Sequence, residues 1–537
     1  MEKTILSFTD SLLKKLNIWM GRSGWSALIA SFITGIIAHG YIIFNKISFQ
    51  DDLYYMFGLG ATYQSGRWFL GITEDIMRHL GGLYSVPVFN GFLSLFFLSV
   101  TAVLIIRIFE IKNCIIGAYI GAIMVVFPVV TSTFTYMYTA PMYMLSLLGS
   151  VFAAYLVVKK KSIFNLVLSV FLFACSIGIY QAYFSVALVI FVIHMLFNAI
   201  KGKYEKLSDE IKDGFIYLGT VGGGMILWGL MVKALLAFKN WRHGGGRYAL
   251  GDYQGMNESY NISMLPSKIR LAYEMFFDFR GNTLFGGSFQ RNMVMVIVIL
   301  SIIIWVFLII YSIKDYKKIL LNILLMILLP FCFKIAYALS TSSDYFVRTL
   351  MEYSNVFILI IPVILISVLD QTKLRNKIIV MTGNIMTSFC LFCCVLELIF
   401  LLYFDNAAYL NLYFNFEYAK SYYTELIANI KNTENYKDET DIIFVGLTKL
   451  EDETRSSYNY WSSSYLWDGF HVDIVNDADP VLFMKNNLGF GNDNIKVDDG
   501  TYSEMKEVQE MPAYPDDGSI RVIDDVVVVK IGNVSRE

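Results

Sequence analysis

Two adjacent carboxylates, Asp51 and Asp52, stand a few residues beyond the first long apolar run, in Ser48-Phe-Gln-Asp-Asp-Leu-Tyr-Tyr55. The stretch continues through Gly66-Arg67-Trp68 to Glu74-Asp75 and Arg78-His79. A carboxylate so placed can serve as a general base that takes the proton of an attacking hydroxyl. Glycosyl transfer from a phospho-sugar needs such a base, and it needs a cation or a divalent metal ion beside the departing phosphate. Arg67 offers that charge as a planar fork of donors. Hydrated carboxylates at a membrane face cost little, so the same residues also suit a plain solvated loop. Their position directly after an apolar run is what singles them out.

Further polar residues cluster near the ends of other apolar runs. Lys233, Lys334 and Glu397 fall toward one end of theirs, where a lysine either snorkels to the interface or meets a lipid phosphate. Trp241-Arg-His-Gly-Gly-Gly-Arg247-Tyr248 is basic and aromatic, with glycines that let backbone amides approach a phosphate. Ser343-Asp344-Tyr-Phe-Val-Arg348 offers an acid and a base that could equally pair with each other. Tyr180-Gln181 could donate to sugar hydroxyls or cap a tight turn, and Trp68 could stack on a sugar ring. His39 and His194 read as packing residues.

These groups need a scaffold, and composition says which kind. Of the 537 residues 56% are hydrophobic and 16% charged, well under the quarter charged that soluble domains carry. A net charge of −2 without a basic arm gives no nucleic-acid partner. All six cysteines lie inside apolar runs, where they read as small hydrophobes with no disulfide framework or metal site. About eleven runs are long enough to cross a bilayer. They cover roughly residues 25–44, 86–106, 114–130, 142–158, 163–179, 184–200, 215–238, 293–311, 319–339, 353–369 and 378–404.

Loops bearing Lys14, Arg22, Arg107, Lys112, Lys159–Lys161, Lys201, Lys314 and Lys373 fall on one side of these runs, which makes that side cytoplasmic. The amino terminus is then cytoplasmic and the carboxyl terminus extracytoplasmic. The chain divides into a transmembrane domain, 1–404, with outer loops 45–85, 239–292 and 340–352, and an extracytoplasmic α/β domain, 405–537. The latter opens with helix-compatible sequence at 409–430. It continues with the strand-like Asp441–Gly446 and two strand-like runs flanking Asp524-Asp525.

Asp51-Asp52, Gly66-Arg67-Trp68, Gly178-Ile-Tyr-Gln181 and the closing Met511-Pro-x-Tyr-Pro-x-Asp-Gly518 resemble the bacterial GtrII-type glucosyltransferases, over most of the chain. The resemblance implies a GT-C-like, α-helical polytopic fold in the bacterial inner (plasma) membrane. It implies inverting transfer of glucose from a polyprenyl-phosphate donor to a surface polysaccharide such as O-antigen, outside the cytoplasm. It places an essential acid in the first outer loop, at Asp51 or Asp52, and a second acid at Asp344 or Glu352. In that scheme Arg67, Arg348 and Lys334 hold the donor phosphate, and Trp68, Tyr180, Gln181, Asp344 and Arg247 touch substrate. Two other readings stay open: a glycan-lipid flippase, which would move its substrate without covalent transfer, and a polysaccharide polymerase, which would use a diphosphate-linked oligosaccharide.

Overall fold

In lipid a backbone must satisfy its own hydrogen bonds, so long apolar runs become helices. A computed structural model of the chain is accordingly mostly helical. It describes residues 2–47, 50–60, 62–81, 85–242, 249–250, 261–278, 283–285, 287–340, 349–371, 377–434, 436–446, 480–491 and 494–532. The helices are α1 (Glu2–Phe44), α2 (Gln50–Tyr54), α3 (Trp68–Leu80), α4 (Pro87–Ile108), α5 (Cys114–Val126), α6 (Pro128–Phe134), α7 (Ala140–Lys159) and α8 (Ile163–Ile177). There follow α9 (Phe184–Ile200), α10 (Leu207–Arg242), α11 (Leu265–Phe277), α12 (Ser288–Ser312), α13 (Tyr316–Leu339), α14 (Phe357–Gln371) and α15 (Lys377–Lys431).

Among the described residues eight helices are long and apolar enough to cross a membrane, or nine if the bent pair α5–α6 is one span. The expected runs at 163–179 and 353–369 form shorter apolar helices, Ile163–Ile177 and Tyr353–Leu369.

The chain forms two compact units, one of residues 1–44 and 57–406, the other of 45–56 and 407–537. In the helical unit α1 packs on α4 and α5, α4 on α7, α7 on α8, and α8 on α10, while α13 packs on α9 and α11. Every residue of α9 is buried, so this helix is the unit's axis. Contact between α1 and α5 depends on small residues. A Cβ on Gly117 would lie 2.5 Å from the Ser23 carbonyl oxygen, and one on Gly121 would lie 2.2 Å from that of Ala27. The Gly-xxx-Gly spacing lets the two backbones touch, as in other membrane helix pairs. Ser31 Oγ then donates to the Gly121 carbonyl at 3.1 Å.

The second unit carries a four-stranded sheet in the order β2-β1-β4-β3. Its strands are β1 (Ile442–Val445), β2 (Ile495–Val497), β3 (Ile520–Ile523) and β4 (Val526–Lys530). Strand β1 runs parallel to β2 and β4, and β3 is antiparallel to β4. Asp524 and Asp525 form the β3–β4 turn with φ of 50° and 61°, the two positive values that a type I′ hairpin requires. Val445, Val508, Met511, Ile523 and Val528 fill the core. Lys530 is buried there, and its ammonium group donates to the carbonyls of Val508, Gln509 and Met511 at 3.1, 2.9 and 2.6 Å. All three of its protons are thereby used.

Candidate active site

The two glycine-containing motifs singled out in the sequence interlock. Tyr63–Ser65 makes a short 3-10 turn closed by Gly66 in the left-handed region (φ 72°), and α3 begins at Trp68. The first amides of a helix have no partner within it. Here Phe69 and Leu70 donate theirs to the Gly178 carbonyl, at 2.8 and 3.1 Å. Gly178 has no side chain because the Trp68 indole occupies its place; a Cβ would sit 2.5 Å from Trp68 Nε1. Gln181 Nε2 donates to the Ser65 carbonyl at 2.7 Å, and Trp228 Nε1 to that of Gly66 at 2.9 Å. Gln181 and Trp68 therefore hold Arg67 in place.

Arg67 is 8% exposed. Its Nη1 donates to the Tyr143 hydroxyl at 2.9 Å, and the guanidinium lies 5.8 Å from the Tyr143 ring centre and 5.3 Å from that of Tyr180. The two rings stack on each other at 4.6 Å. A guanidinium set against aromatic faces keeps its charge, which suits an anion partner. Below it, Tyr63 donates to Asp75 and Lys239 donates to the same Asp75 oxygen, both at 2.8 Å. Burial pushes the Asp75 carboxyl upward, but the hydrogen bonds from Lys239 and Tyr63 outweigh it and hold the carboxyl below its ordinary value. The Tyr63 hydroxyl is raised, by burial first and by its bond to Asp75 second.

From Tyr180 a chain of rings leads on through Tyr183 (5.2 Å) and Tyr353 (6.1 Å) to Phe127 (6.2 Å). Phe127 is where the expected 114–130 span breaks. Pro128 has no N–H and forces its predecessor out of helical geometry, so Phe127 is extended and α6 departs by 43°. The break frees carbonyls at the end of α5. Tyr353 donates to Met124 O at 2.8 Å, and the His39 ring meets Val125 O at 2.7 Å. Thr131 of α6 donates to the fully buried Asp405 of α15. Next to Tyr353 is Glu352, which pairs with Lys334 and also accepts from Asn355; both ionic side chains are 2% exposed. Lys334 thus meets a carboxylate of its own chain.

Asp51 and Asp52 lie in α2, within the second unit. Asp52 is 1% exposed and paired with Lys46, whereas Asp51 is half-buried. Asn486, from the helix Pro480–Leu488, donates to the Leu53 carbonyl at 3.1 Å and fastens α2 to that unit. Arg247, Asp344 and Arg348 lie outside the described residues. Among the described residues no group of three His, Cys, Asp or Glu side chains could hold a metal ion.

Sequence reasoning missed Tyr143, Asn355 and Asp405. Tyr143 follows Pro141 at the start of an apolar run and carries no local signal. The sequence reading places Asp405 just past a span, yet α15 continues through it because residues 384–431 contain neither Gly nor Pro.

A family model described as glucosyl transferase GtrII matches residues 40–359, more than half of the chain. The match takes in Asp51, Arg67, Trp68, Tyr143, Tyr180, Gln181, Lys334 and Glu352, while the Met511–Gly518 segment lies beyond it. No curated protein and no solved structure gives a match. The motifs that interlock around Arg67 thus fall within a recognised enzyme family, and the chain belongs to the GtrII glucosyl transferases.

Proposed function

We propose that this glycosyltransferase moves glucose from a polyprenyl phosphate to a cell-surface polysaccharide, such as O-antigen or a wall glycan, on the outer face of a bacterial inner membrane. In this reading the acceptor hydroxyl attacks the anomeric carbon and gives its proton to Asp51. The bond from that carbon to the phosphate oxygen breaks with inversion, and the polyprenyl phosphate leaves. Asp51 is preferred to Asp52 as base because it is half-buried whereas Asp52 is 1% exposed. Asp52 positions the turn.

Arg67 receives the phosphate, aided by Arg348, and Trp68, Tyr180, Gln181, Arg247 and Asp344 border the sugar. Lys334, with its charge met by Glu352, is assigned to holding the bundle together rather than to the phosphate. The observation that carries the reading is the Arg67 guanidinium set against two stacked tyrosine rings by the interlocked motifs. A preorganised cation of this kind stabilises a leaving anion without reorganisation.

The acceptor reading has support from the second unit. An open polar groove of about 670 Å³ is lined there by Asn429, Asn432, Glu434, Asp516, Asp517 and Arg521. Carboxylates, amides and a guanidinium suit a polyhydroxylated chain better than an anion. Membranes containing the protein, supplied with a prenyl-phosphate glucose, should add one hexose to the surface glycan by mass spectrometry. Unchanged glycan mass with a competent donor would sink the proposal.

A further inference from the structure

The helical unit holds an apolar groove that the reaction scheme does not use. It has a volume of about 440 Å³ and is lined by α11, α12, α13 and α14, within the size range of ligand pockets. Its walls include Phe276, Phe277, Ile302, Trp305, Ile327 and Phe333. The two hydroxyls on the wall are turned into backbone: Ser301 donates to Ile297 O at 2.7 Å and Tyr273 to Ile327 O at 2.8 Å. Pro330 stands in the same wall and has no N–H for the carbonyl four residues before it, that of Met326. Apart from the Trp305 indole N–H, the groove therefore presents hydrocarbon. Its mouth is open, since Phe277, Ile302 and Ile327 are 54%, 45% and 56% exposed.

We infer that this groove holds the isoprenoid tail of the lipid-phosphate donor; the inference rests on the donor reading above. Helices α12 and α13 are joined by residues 313–315 and so form an antiparallel hairpin. The groove residues end at Val298 on α12 and Phe333 on α13, away from the turn. Beyond them on that side come the Lys334–Glu352 pair and the neighbouring Tyr353, from which the rings of Tyr183 and Tyr180 lead to the Arg67 guanidinium. A hydrocarbon slot with a guanidinium past one end matches a molecule with a long apolar tail and an anionic head. An ordinary bilayer lipid could also enter, and the test separates the two.

A prenyl phosphate bearing a diazirine on its tail is photo-crosslinked to the full-length protein in phospholipid nanodiscs, and labelled peptides are mapped. Labelling of α11–α14 that excess unlabelled prenyl phosphate removes, and excess phospholipid does not, supports the site. Labelling elsewhere, or labelling that prenyl phosphate fails to displace, overturns it. This readout does not need transfer, so it stands apart from the fate of the donor reading. In the transfer assay Ile302→Trp should raise KM at least 10-fold for a long-chain donor and leave a two-isoprene donor unchanged. Ile299→Trp, at a lipid-exposed position of α12 off the groove, serves as control. An unchanged KM for the long-chain donor in Ile302→Trp would also refute the inference.

Discussion

Replacing Lys334 by Met should be among the most damaging single changes in the helical unit, and pairing it with Glu352→Leu should undo most of the damage. Both side chains are 2% exposed, and the ammonium meets the carboxylate directly. Without Lys334, Glu352 keeps only the Asn355 amide, and its other oxygen, Oε1, already has no hydrogen-bond partner among the described residues. Removing one member of a buried pair strands the other charge at a cost of about 3–5 kcal/mol, whereas replacing both with apolar groups of similar volume is neutral or stabilising. The pair should therefore show a coupling energy of at least about 3 kcal/mol in a double-mutant cycle. SDS titration of the protein in mixed micelles gives the unfolding free energies of the four forms. The reasoning is refuted if Lys334→Met costs under about 1 kcal/mol, or if the double variant is as unstable as the two singles added. Should the double variant transfer glucose with an unchanged donor KM, Lys334 has no part in holding the phosphate.

Asp51→Asn should lower kcat by about 10²–10⁴, the usual worth of a general base, while Asp52→Asn should chiefly weaken the turn and retain measurable turnover; equal loss in both would remove the distinction. Gly121→Ala should cost about 1–3 kcal/mol of overpacking against Ala27. Gly219→Ala, with nothing within 4 Å of the added carbon, should be neutral or stabilising; the same SDS titration compares them, and equal effects would contradict the close α1–α5 contact. Asp75, held below its ordinary value by Lys239 and Tyr63, contributes stability that is fully present above the free carboxyl value of about 3.9. That contribution is lost as pH falls through the folded value. Hydrogen-exchange protection factors of α3 amides should fall on acidification in the wild type and lose that acid dependence in Asp75→Asn.

Eight of the eleven expected membrane runs appear as long apolar helices among the described residues, because an apolar run of about 20 residues has one outcome in lipid. The β3–β4 hairpin was legible for an equally local reason, two aspartates between Val- and Ile-rich runs. What escaped was set by distance along the chain. The lysine expected at a lipid phosphate found Glu352 across a loop, and Asp405 found Thr131 from 274 residues away. Strand β2 has three residues, only one of them buried, and exists because β1 offers it an edge. The break at Phe127 did carry a signal in Pro128, but hydropathy alone smoothed it into a span. The motifs around Arg67 could be quoted from the sequence, yet their mutual hydrogen bonds could not.

The membership of α2 in the second unit has a consequence for how the protein comes into being. A ribosome delivers Asp51 and Asp52 early, but the Asn486 amide that fastens this turn lies 433 residues downstream. Strand β4, between β1 and β3 in the sheet, arrives later still. For most of synthesis the acidic turn exists without its mount. A premature stop between the end of α15 and β4 would spare the long apolar helices and leave the proposed base unsupported. Such truncated chains should insert normally and be catalytically silent, which would couple activity to completion of the sheet.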